Sequence, residues 1–185
     1  MDLVEQLVAK IREQLRDQAD PERAPGQQAY MKSAMPFWGV RVPEVRRLTK
    51  AAAKGITDAV TLFAASEMLW DQATHREERY AAMALISTRA TAGDPASIPL
   101  IEHMVRTGQW WDITDELSHR LGVLLDRDPD HMAALMRQWS NDPDLWIRRI
   151  AIISQLGRGD RLDKALLSDA IESNTEDTDF FIRKG

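Results

Sequence analysis

Three short stretches carry residue types that chemistry can use. The densest is Trp110-Trp111-Asp112-Ile113-Thr114-Asp115-Glu116, placed just after Gly108. On a helix, Trp111 and Asp115 are i,i+4 neighbours on one face and Asp112 lies beside Asp115 at i,i+3, so an aromatic ring stands next to a carboxylate. Both groups attract a cation, the ring through its quadrupole and the carboxylate through its charge. The structural alternative puts the tryptophan in the core and leaves the two aspartates to stabilise a helix N-terminus. His119 sits at i,i+4 from Asp115, a general-base geometry with no nucleophile to serve.

The second stretch is Leu145-Trp146-Ile147-Arg148-Arg149-Ile150-Ala151. Arg149 shares a helix face with Ile152 and Ile153 and so emerges near an apolar seam, a setting that suits a phosphate and equally suits a carboxylate partner. In the third, Tyr30-Met31-Lys32 precedes Phe37-Trp38-Gly39-Val40-Arg41-Val42-Pro43-Glu44-Val45-Arg46-Arg47. Rings interleaved with cations fit a nucleic-acid contact surface, the cations neutralising phosphate and the rings covering sugar or base. Lys32, Arg41, Arg46 and Arg47 are its candidate contacts, joined by Arg148, Arg149 and, near the C-terminal end, Lys184. For Phe37 and Trp38 the preferred reading is a loop anchored in the core.

Other chemistries lose ground. The chain has no cysteine, which removes disulfides, thiolate nucleophiles and zinc knuckles together. His75, His103, His119 and His131 show no i,i+4 pair to seat a metal, so neither metal nor cofactor is expected. Gly157-Arg158-Gly159 lacks the third glycine and the preceding strand of a dinucleotide fingerprint and reads as a helix end. The formal charge of −5 argues against a nucleic-acid partner as a total. Between Tyr30 and Ile56, however, Lys32, Arg41, Arg46, Arg47, Lys50 and Lys54 face only Glu44, so distribution outweighs the sum. A solvated basic helix face is the plain alternative.

Helices must position these groups, because strand signals are nearly absent. Val40-Arg41-Val42 alternates, but it runs into Pro43. Leu3, Leu7, Ile11 and Leu15 mark an amphipathic first helix. After a loop from Asp20 to Gly26, a short helical turn is expected around Gln27 to Ser33, then a helix opened by Pro43 and closed by Gly55. Thr74 with Glu77 reads as a capping box, and Asp94-Pro95, Asp128-Pro129 and Asp142-Pro143 each read as an N-cap before a first-turn proline. About ten helices result. A step of 35 residues brings Trp111, Trp146 and Phe181 into register, and likewise Arg79, Arg149 and Lys184, with Thr114 breaking the cationic column. That period is a helix pair stacking on its neighbours, so the fold expected is an all-α solenoid with a concave face suited to a polymer. The 185 residues fit one domain. No apolar run approaches the roughly 20 residues a membrane span needs, and the N-terminus lacks an export signal. A cytoplasmic monomer is the expectation.

Together, Tyr30-Met31-Lys32, Gly39-Val40 through Pro43-Glu44 to Arg46-Arg47, Trp110-Trp111-Asp112 with Asp115, Trp146 with Arg149, and Phe180-Phe181-Ile182 resemble the DNA alkylation repair enzymes built from HEAT-like repeats, the AlkD-like alkylpurine DNA glycosylases. The resemblance implies an α-solenoid whose concave basic face holds duplex DNA. It implies hydrolysis of the N-glycosidic bond of purines alkylated at N3 or N7, without base flipping and without a cofactor. It puts the catalytic aspartate at Asp115, its neighbouring tryptophan at Trp111, a phosphate-binding arginine at Arg149, and lesion-proximal aromatics at Tyr30 and Phe181. The family usually continues through another helix pair where Gly185 ends this sequence, carrying a further tryptophan opposite Trp111, so the C-terminal repeat and half of the aromatic clamp are expected to be missing here. Arg41-Val42 departs from relatives that carry uncharged polar residues there. A non-catalytic HEAT-like scaffold binding DNA or protein is the competing reading, and a purely structural repeat domain is the third.

Overall fold

The computed structural model describes residues 1–185 as eleven α-helices and two single-turn 3-10 segments, with no strand. Within each unit the helices pack on their neighbours, in keeping with the all-α solenoid class that the repeat pattern predicts. The helices gather into two compact units, Met1–Ala92 and Gly93–Gly185, where the sequence alone suggested one domain.

The first unit holds α1 (Leu3–Asp17), α2 (Ala24–Met31), α3 (Val42–Ala52), α4 (Ala59–Asp71) and α5 (Arg76–Leu85). Asp2 and Glu5 form a capping box at the start of α1, and Leu7, Val8, Ile11 and Leu15 bury one face. Each such side chain contributes about 1.5–3 kcal/mol by leaving water. α1 and α5 both pack on α3 and α4. α2 begins at Ala24, earlier than the expected Gln27, because Pro25 fits the first helical turn instead of breaking it.

The Thr74 capping box is corrected by one residue. The N-cap of α5 is His75, and it is Glu78 that reaches back to the backbone N–H groups of Thr74 and His75, at 2.9 and 3.2 Å. Burial opposes ionisation of Glu78, but the Arg12 guanidinium at 2.6 Å and the Thr74 donors outweigh it and hold the carboxyl below its usual range. Glu77 is thereby released for another task. Fully buried, its carboxylate accepts the backbone N–H groups of Trp38, Gly39 and Val40 at 3.0, 2.8 and 3.0 Å. The loop entering α3 is thus pinned to α5, and Trp38 stacks on His75 with ring centroids 4.2 Å apart. Gly39 sits at φ 93°, where a Cβ would collide with the Asp20 carbonyl oxygen, so no other residue fits.

The second unit holds α6 (Ile98–Gly108), α7 (Trp111–Arg127), α8 (Pro129–Trp139), α9 (Leu145–Ile152), α10 (Lys164–Glu172) and α11 (Phe180–Arg183). α7, α9 and α11 are successive neighbours in one layer, with α8 and α10 packed behind. Ile152, Ile153, Ala170 and Ile182 join α9, α10 and α11 through a shared apolar cluster. Asp94 and Asp128 cap the segments that follow them, as their prolines predict. Asp142 does not. Asp144 caps α9 instead, and Asp142 receives a two-pronged pair from Arg106 at 3.0 and 2.7 Å, which holds its carboxyl below the usual range. The arrangement recurs one repeat later, where Asp179 caps α11 and Asp177 receives Arg148 at 2.7 Å. No helix is long and apolar enough to cross a membrane.

Candidate active site

Two residues between α6 and α7 determine which tryptophan faces the layer. Gln109 adopts the left-handed conformation, φ 44° and ψ 46°, and Trp110 follows in extended backbone before the helix begins at Trp111. The left-handed turn at Gln109 costs about 1–2 kcal/mol for a residue with a Cβ. Its consequence is that the indole of Trp110, not that of Trp111, packs against Trp146 and Phe181, at centroid distances of 6.1 and 5.6 Å. Trp146 and Phe181 stand 4.9 Å apart, closing a trio. Tilted and edge-on pairs of this kind are worth about 0.5–1.5 kcal/mol each beyond the area they bury. The expected register of Trp111 with Trp146 and Phe181 therefore slips by one residue. Trp111 itself is half-buried at the first position of α7, one turn before Asp115.

Counting from helix starts shows what stands at the break in the cationic column within this unit. Asp115 and Arg149 lie four residues after Trp111 and Leu145, so they occupy equivalent places on α7 and α9; Lys184, four residues after Phe180, is the C-cap of α11. Thr114, the break in the 35-residue series, lies one place before Asp115. Asp115 fills the gap, and it is the partner of the next member. Arg149 Nε donates to Asp115 Oδ1 at 2.8 Å and Nη2 donates to Oδ2 at 2.9 Å, a fork-to-fork ion pair. Its Nη1 donates to the Phe181 carbonyl, and the guanidinium carbon lies 5.9 Å from the Phe181 ring centroid. The Arg149 side chain is 8% exposed, against 35% for Asp115. The carboxylate is neither sealed in the core nor freely mobile. One face meets solvent while the other is held by a buried cation.

The remaining expected contacts separate by what they already bind. Arg148 is a strut: Nε bonds Asn174 Oδ1, Nη1 bonds the carbonyls of Asp142 and Pro143, and Nη2 bonds Asp177. Four internal acceptors stand where a phosphate contact was expected, so Arg148 leaves the set of candidate contacts. Phe181 lines the site as a half-buried member of the trio. Lys184 is exposed, with Nζ 5.3 Å from the exposed Phe180 ring.

In the first unit, Tyr30 is 72% exposed on α2, and Lys32 and Arg41 are exposed and make no ion pair. Arg46 is also exposed on α3, while Arg47 is forked onto Glu44 at 2.9 and 2.5 Å. That hydrogen bond holds Glu44 below its usual range. No group of three or more His, Asp or Glu side chains is disposed to hold a metal ion. Sequence reasoning missed Trp110 and the Glu77 anchor. The Trp110-Trp111 doublet marked the right place, but only the backbone at Gln109 tells which ring turns inward.

A forked carboxylate beside an aromatic trio, mounted on stacked helix pairs, defines a class of helical-repeat protein in which adjacent repeats build one site. The family description "DNA alkylation repair enzyme" matches residues 11–185, and the chain belongs to that family. Among solved structures it is similar to a predicted DNA alkylation repair enzyme from Enterococcus faecalis, with 26% identity and a TM-score of 0.80 over 90% of this chain and 79% of that one. No curated protein matches.

Proposed function

We propose that the protein is a monofunctional DNA glycosylase that releases purines alkylated at N3 or N7 from duplex DNA, with Asp115 as its catalytic carboxylate and no base flipping. The observation that carries the reading is the one-sided exposure of Asp115, an oriented carboxylate in a chain of the DNA alkylation repair family. Alkylation at N3 or N7 makes the purine cationic and a good leaving group. The enzyme then needs no general acid and no shaped base pocket. What remains is to stabilise an oxocarbenium-like sugar and to place water, which one preoriented carboxylate does electrostatically. A unit charge about 4 Å from a carboxylate gains roughly 4 kcal/mol at an effective dielectric near 20. Realised only in the transition state, even half of that is a factor of about 30 in rate. The half-buried ring of Trp111 would add a π-face that favours a charged lesion over a neutral purine by about 0.5–2 kcal/mol.

On this reading Lys32, Arg41, Arg46 and Arg47 of the first unit and Lys184 of the second serve duplex binding, and Tyr30 and Phe181 serve as aromatic contacts to the substrate. The protein acts as a monomer in the cytoplasm. Incubation with duplex DNA containing N7-methylguanine tests it: free 7-methylguanine should appear, and an unmodified duplex should release none. Duplex binding without base release would instead establish the non-catalytic scaffold.

A further inference from the structure

We propose that Arg149 is the positioning residue of Asp115 and not a ligand of the DNA phosphates. The inference rests on the reading of Asp115 as the catalytic carboxylate. Three features of the geometry carry it. The guanidinium grips both oxygens of the carboxylate at 2.8 and 2.9 Å, which fixes the carboxylate plane as well as its place. Its third nitrogen is fastened to the Phe181 carbonyl, so one buried cation rooted in α9 ties together α7 and α11. Accessibility runs opposite to what a phosphate ligand requires. With 8% of the Arg149 side chain exposed against 35% for Asp115, an approaching polyanion meets the carboxylate before the arginine.

Cations suited to phosphate look different in this chain. Lys32 and Arg41 are exposed and without ion pairs. Arg149 has its donors committed and lies against the Phe181 ring. Its work is to hold the partly exposed carboxylate of Asp115 in one orientation, so that no reorganisation is needed when positive charge develops on the sugar. Asp115 and Arg149 are each the fifth residue of their helices, α7 and α9, and these neighbouring helices bring the two side chains together.

The test compares wild type, Arg149→Met and Arg149→Lys in two assays, single-turnover release of 7-methylguanine and duplex binding across a salt series. Arg149→Met should lose about 10²-fold in rate, the effect of a misplacement of about 1 Å. Its Kd and salt slope should stay at wild-type values. Arg149→Lys should fall between, since an ammonium holds one oxygen where the fork holds two. With Asp115→Asn already in place, Arg149→Met should cost nothing further, a non-additivity that a role in general scaffolding would not produce.

A wild-type turnover rate combined with a salt slope reduced by about 0.9 would make Arg149 a phosphate ligand and overturn the inference. Additive losses in the double variant would overturn it as well. Should circular dichroism show Arg149→Met unfolded, the lysine variant carries the same split between rate and affinity. An inactive wild type would remove the glycosylase reading and this inference with it, whereas an active wild type with a binding-defective variant would remove this inference alone.

Discussion

The two units spend their charges differently. Met1–Ala92 has 13 Lys and Arg against 12 Asp and Glu, and several of its cations, Lys32, Arg41, Lys50 and Lys54 among them, are exposed without ion pairs. Gly93–Gly185 has 11 against 17, and Arg106, Arg120, Arg137, Arg148, Arg149, Arg158 and Arg161 all make ion pairs with carboxylates. In the first unit a buried carboxylate organises backbone, and several cations stand exposed without a carboxylate partner. In the second, arginines organise carboxylates, and one carboxylate keeps an open face. A formal charge of −5 therefore conceals a division between a nearly neutral unit with exposed, unpaired cations and an acidic unit whose arginines are mostly paired.

If that division is right, damage to each unit should leave a different signature. The largest effect on stability is expected at Glu77→Ala, which strands three buried backbone N–H groups. Unfolding in denaturant should show a loss of about 3–5 kcal/mol, and a loss under about 1 kcal/mol would mean that the loop entering α3 does not depend on this anchor. Arg148→Ala should cost about 2–3 kcal/mol through its released acceptors while leaving the salt dependence of duplex binding alone. A reduced salt slope would return Arg148 to the DNA surface. Lys32→Ala and Arg41→Ala should do the reverse, with stability within about 0.5 kcal/mol of wild type and the salt slope lowered by about 0.9 for each phosphate that is no longer neutralised.

The smallest effect is one of acidity. Hydrogen bonding from Arg106 depresses Asp142, and the Arg12 and Thr74 bonds depress Glu78 against the opposing effect of burial. Groups depressed on folding contribute stability above about pH 4, and that contribution is lost as pH falls through their folded values. Melting temperatures should therefore decline from about pH 4 to about pH 2, less steeply in Asp142→Asn. An unchanged slope in that variant would detach Asp142 from the acid transition.

Sequence periodicity was enough for the helical class and for the amphipathic α1, because burial pattern and proline position are local properties; the stretches around Asp115 and Arg149 stood out by residue type. One-residue details were not legible. Thr74-His75 and Asp142-Pro143-Asp144 each offer two plausible caps, and the choice is made by distant partners, Arg12 for Glu78 and Arg106 for Asp142. The tryptophan register slipped for the same kind of reason, since a left-handed Gln109 leaves no mark in composition. Arg148 and Arg149 look alike in sequence; only their tertiary partners show that one braces the Asp142 turn and the other holds the candidate carboxylate.

On the proposed reading, the repair chemistry depends on Asp115. Single-turnover release of 7-methylguanine from a duplex should drop at least about 10²-fold in Asp115→Asn, with duplex affinity unchanged. Equal rates for the two proteins would contradict that dependence.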